Sequence, residues 1–113
     1  MRRGTKPYKE TVETLRVHIH ARLVHWSGVY GIQHGTVAIR KQKTRWGSCS
    51  KSGNLNFNYR LAFLPERLRD YVIVHELCHV AEHNHSLRFW ALVAMTFPDY
   101  AELRAALRRG YRF

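Results

Sequence analysis

This 113-residue chain contains only two cysteines, two aspartates and three prolines. Cys49 and Cys78 are too few for a disulfide framework, so reduced thiols are expected. Magnesium chemistry needs clustered carboxylates, and Asp70 and Asp99 do not supply a two-metal centre. No Gly-rich phosphate loop is present. The chain also lacks Pro-, Gly- or Ser-rich stretches, so no linker divides it. No apolar run approaches the ~20 residues of a membrane-spanning helix. The basic start, Met1 to Pro7, is followed by no apolar segment and does not read as a secretory signal. The expectation is a single cytoplasmic domain over residues 1–113 with no membrane contact. No feature sets an oligomeric state.

Acidic residues are scarce as well. Eight oppose 19 Lys and Arg, and the formal net charge is +11. Such a surface attracts polyanions, so nucleic acid is an expected partner class. Arg104, Arg108 and Arg109, on the last helix of the reading, are its candidate contacts.

Histidine, in contrast, is abundant. His75-Glu76-Leu77-Cys78-His79 lies within the apolar run from Tyr71 to Val80. In a helix, residues four apart share a face, so His75 and His79 aim two imidazoles at one point. Glu76 stands beside that point. Burying these three polar groups has a cost that a joint metal site would explain. A turn at Asn84 brings His85 back over the helix as a third ligand. Three imidazoles leave a fourth zinc position open for water, whose pKa zinc lowers to about 7. Glu76 is then the general base. One zinc per chain is expected.

The rest of the chain frames this helix. Tyr8, Val12, Leu15, Ile19, Leu23 and Trp26 recur at helical spacing and predict a helix over 7–26, begun at Pro7 and ended by Ser27-Gly28. Val29-Tyr30-Gly31-Ile32 and Thr36 to Arg40 read as short strands joined by a turn at His34-Gly35. Trp46, within a basic stretch, is expected to point into the core. Asn54 to Leu61 alternates strictly and predicts a half-buried strand at a sheet edge. Its apolar set, Leu55, Phe57, Tyr59 and Leu61, is expected to pack on the metal helix. Asn54, Asn56 and Asn58 face the other way and are the candidate substrate-binding residues. Leu64-Pro65-Glu66 opens the metal helix. Ser86 or Asn84 caps a third helix, which Pro98 stops, and Asp99 to Gly110 forms a fourth.

Several of these segments occur together in a known family. Thr44-Arg45-Trp46-Gly47-Ser48-Cys49-Ser50, Gly53-Asn54-Leu55-Asn56, Tyr71 to His79, Asn84-His85-Ser86, Phe89-Trp90 and Pro98-Asp99-Tyr100 resemble the YgjP-like metallopeptidase domain. That family is grouped with SprT-like and WLM zinc proteases. The resemblance is strongest over 40–100. It implies an α+β, minimal zincin-like fold: an N-terminal helix, a small three-stranded, mostly antiparallel sheet, the zinc-binding helix and two C-terminal helices. It also implies zinc on His75, His79 and His85 with Glu76 as general base. The ligand spacing matches the metzincin pattern too, but Glu82 stands where metzincins place glycine.

The leading expectation is therefore a zinc metallopeptidase acting on peptides or proteins. The alternatives are a metal-dependent nucleotide phosphohydrolase, which the charge favours, and a nucleic-acid-binding module with a structural zinc. A closed structural site normally has four protein ligands and leaves Glu76 without work.

Overall fold

A computed structural model describes residues 8–110. The elements are α1 (Tyr8–Tyr30), β1 (Val37–Arg40), β2 (Gly47–Cys49), β3 (Leu55–Asn58), a 3-10 helix (Tyr59–Phe63), α2 (Glu66–Ala81), α3 (Leu87–Thr96) and α4 (Tyr100–Gly110). The class is α+β. The expected helix start at Pro7 lies outside the described residues.

On α1 the buried positions Val12, Leu15, Ile19 and Leu23 recur every three or four residues and, with Thr11 beside Val12, form one stripe. The helix does not stop at Ser27-Gly28, and Val29-Tyr30 is not a strand. Gly31, at φ 66°, supplies the left-handed residue that ends it. The last turn is also tethered. Tyr30 donates its hydroxyl proton to the Leu92 carbonyl at 2.7 Å, so Thr96 donates to the Tyr30 oxygen at 2.6 Å. This anchor extends the helix past the point where the pattern fades.

The sheet has the order β1-β3-β2. β3 pairs parallel with β1 and antiparallel with β2, so the sheet is mixed rather than mostly antiparallel. The expected edge strand is thus the central one. The chain leaving β1 crosses the end of β3 and returns as β2 on its far side. Asn58 holds that crossing. It is fully buried, donates to the carbonyls of Gln42 at 3.1 Å and Arg45 at 2.8 Å, and accepts from the Arg60 N–H at 3.0 Å. The last of these bonds caps the 3-10 helix, which is why the strand ends at Asn58 instead of reaching Leu61.

Helix α2 is the hub. It touches α1, α3, α4 and β2. Ile73, Val74, Leu77 and Cys78 are fully buried, in one core with Phe57, Leu55, Leu61 and Phe89. Asp70 is the buried acid that ties α2 to α1, through Arg22 Nε at 3.1 Å and an Arg22 terminal nitrogen at 3.2 Å. This bidentate pair is geometrically specific. Both cysteines are free. Among the described residues no helix is long and apolar enough to cross a membrane.

Candidate active site

His75 and His79 lie one helical turn apart on α2, and His85 comes from the loop between α2 and α3. One ring nitrogen of each lies within 4.8 Å of the others. His85 Nε2 is 3.0 Å from His79 Nε2 and 3.3 Å from His75 Nε2. Among the described residues no other group of three His, Cys, Asp or Glu could hold a metal ion. His79 Nδ1 is 3.0 Å from the Glu82 carbonyl oxygen. A carbonyl can only accept, so the proton sits on Nδ1 and the Nε2 lone pair faces the cluster.

Burial keeps these rings neutral. It is the main cause of a His75 pKa near 3, with the neighbouring imidazoles His79 and His85 adding to it. His79 and His85 are also lowered, chiefly by burial. Neutral imidazoles are what metal ligation requires. Three of them with no carboxylate suit zinc and its transition-metal neighbours better than magnesium or calcium. The donor set therefore fits the ion expected from the sequence.

The three imidazole rings rest on aromatic walls from α3 and α4. His79 stacks on Phe89 with centroids 4.2 Å apart, and His85 stacks on Trp90 at 5.4 Å. Trp90 in turn stacks on Tyr100 at 4.6 Å, with the Arg104 guanidinium over it at 4.8 Å. Ser86 accepts from the Phe89 N–H at 3.3 Å, which starts α3 directly after His85 and aims Phe89 and Trp90 at the ligands. The signal for this support was the run Phe89-Trp90 close behind His85.

Glu76 is 6% exposed, and burial pushes its carboxyl up to about 8 against the opposing pull of Arg45. β2 passes close beside it. A Cβ at Gly47 would lie 3.0 Å from Glu76 Cγ and 3.0 Å from the Asn56 carbonyl oxygen. Glycine in this strand is thus a condition for the close approach. That role was not anticipated, although a glycine inside a strand is its sequence sign.

A cavity of about 410 Å³ opens next to Glu76 and His75. Trp46 is half-buried and packs on the core while also lining this cavity. Arg104 and Arg108 line it as well, whereas Arg109 is exposed and does not. The three asparagines take no part in it. Asn54 accepts from the Thr36 N–H at 2.9 Å and Asn56 from Arg40 Nε at 3.1 Å, while Asn58 is the buried anchor of the crossing loop. A central strand has its backbone already paired on both flanks, so a peptide cannot add to the ladder at β3. Asp70 and Asp99 are each tied to an arginine, Arg22 and Arg67, and neither joins the three-histidine cluster.

Comparison with known proteins agrees with this fold. The fold is similar to the metallopeptidase zymogen of Pyrococcus abyssi abylysin, with a TM-score of 0.72 and 27% identity over 83% of this chain and 96% of that one. It is also similar in fold to the metallopeptidase zymogen of Methanocaldococcus jannaschii jannalysin, with a TM-score of 0.64 and 21% identity over 93% and 97% of the two chains. No curated protein matches the chain. The model of the YgjP-like metallopeptidase domain matches residues 6–110, nearly the whole chain, and the chain therefore belongs to that family.

Proposed function

We propose that the protein is a zinc-dependent peptidase in which His75, His79 and His85 hold one ion and Glu76 is the general base. The observation that carries this reading is the convergence of three imidazole nitrogens, one from His75, which lines the same cavity as the buried Glu76. An ion bound there supplies Lewis acidity toward water and toward a peptide carbonyl. Glu76 takes a proton from the attacking water and delivers it to the leaving nitrogen. A carboxyl whose affinity for protons is raised toward neutral pH is suited to both transfers.

The substrate backbone has a natural place along β2, which is a sheet edge next to Glu76. The ladder to β3 uses positions 46, 48 and 50, as the bonds from Asn58 N to the Trp46 carbonyl and from Ser50 N to the Asn54 carbonyl show. By alternation, the backbone groups of Gly47 and Cys49 face the open edge. An extended peptide can pair there.

The test combines metal analysis with product analysis. Purified protein should contain about one zinc per chain by mass spectrometry and cut unstructured peptides. Glu76→Gln should keep the zinc and lose at least about a hundredfold in turnover. Unchanged turnover in that variant would remove the mechanism.

A further inference from the structure

The cavity beside Glu76 is lined by three arginines. Arg45, Arg104 and Arg108 line it, and Glu76 is the one carboxyl among the lining residues. The cations come from two directions, Arg45 from the loop before β2 and the other two from successive turns of α4. Arg104 is held in place over the Trp90 ring at 4.8 Å. The lining also includes the apolar groups of Trp46, Val72 and Leu107, beside Thr44 and Tyr71. At about 410 Å³ the cavity falls in the range of small-ligand sites and is ample for one side chain.

Resting on the peptidase reading, we propose that this cavity is its specificity pocket and receives a carboxylate borne by the substrate residue at the cleaved bond. Methylene groups would lie on Trp46, Val72 and Leu107, and the carboxylate would meet the guanidinium groups. Arginine suits that task because its planar fork can bind both carboxylate oxygens. A polyphosphate would use the cations but leave the apolar walls idle. The carboxylate has two sources, the side chain of Asp or Glu or the free C-terminus of the substrate.

The test uses zinc-loaded protein and a peptide series varied at one position. Glu should be preferred over Gln by about tenfold or more in kcat/KM, the size of one charge-assisted hydrogen bond. Lys should be worst. Arg45→Gln and Arg108→Gln change exposed side chains and should each shrink the Glu-to-Gln ratio. A second arm places a neutral residue last in the peptide, as acid or amide. Preference for the acid identifies the C-terminus as the carboxylate source, and preference for internal Glu identifies the side chain. Calorimetric binding of the Glu and Gln peptides to the zinc-loaded Glu76→Gln variant gives a readout without turnover. Tighter Glu binding there, with no peptide cut by the parent, would keep the pocket and remove the peptidase. Equal cleavage of Glu and Gln peptides would keep the peptidase and remove the pocket. A short oligonucleotide that displaces the Glu peptide while binding more tightly would also overturn the proposal, assigning the arginines to phosphate.

Discussion

At the scale of single residues, His85 has the most consequence for its cost. It lies in a loop, is exposed, and contributes one of three converging nitrogens. His85→Ala should leave the fold intact and lower zinc affinity by at least about tenfold, measured by competition with a chromogenic chelator. Full occupancy in that variant would mean that the third ligand is another group. Glu76 has a pH signature of its own in metal-free protein. Its carboxyl, ordinarily near 4.5, is pushed up to about 8 in the folded state, chiefly by burial. The folded chain thus holds a proton that the unfolded chain releases. The stability linked to it is whole below the unfolded value and declines as pH rises toward about 8. Glu76→Gln abolishes this decline, so its stability advantage over the parent should grow between roughly pH 5 and 8. Urea midpoints in the presence of a chelator measure it, and parallel pH profiles would refute it.

At the scale of elements, β3 is central instead of taking the edge that its sequence suggests, and β2 is an edge. Strict alternation correctly marks Leu55 and Phe57 as inward, both essentially buried. Alternation says nothing about which strands flank a strand, and here both flanks are filled. Asn58 looks like one more outward asparagine and is instead a buried bracket with three hydrogen bonds. Asn58→Ala would strand two carbonyls and one N–H, at about 1–3 kcal/mol for each group left unsatisfied. It should therefore destabilise clearly more than Asn56→Ala, whose side chain meets only the exposed Arg40. Denaturant unfolding of the pair decides the matter. β2 carries the complementary expectation. Cys49→Pro removes a backbone donor on the open edge without touching the ladder to β3. KM for peptides should rise severalfold with zinc retained; an unchanged KM in folded, zinc-loaded protein would place the substrate elsewhere.

At the scale of the whole molecule, the three-histidine cluster joins α2 to the segments that follow it. His75 and His79 belong to the hub helix, His85 to the next loop, and the rings behind them to α3 and α4. An ion bound only by the folded state stabilises it by mass action, about 4 kcal/mol when free zinc exceeds Kd a thousandfold. Melting should therefore move upward by ten degrees or more on adding zinc and return on chelation. A melting temperature indifferent to both would mean that the three imidazoles do not act as one site. Of the 19 Lys and Arg residues, Arg45, Arg104 and Arg108 line one cavity.

The chain alone determined the helices, the buried hub and the pairing of His75 with His79, because all of these follow from local periodicity. A helix repeats every 3.6 residues, and the spacing of four puts two imidazoles on one side whatever surrounds them. The mixed sheet, the use of β2 as the edge, the need for Gly47 and the ring stack behind His85 were decided by the tertiary structure. Each depends on contacts between residues distant in sequence. Asn58 reaching back to Gln42, Tyr30 to Leu92 and Gly47 to Glu76 span 16, 62 and 29 positions. Local propensity carries no record of such partners. They exist only after the apolar faces of α1, α2 and the sheet have closed on one another and excluded water.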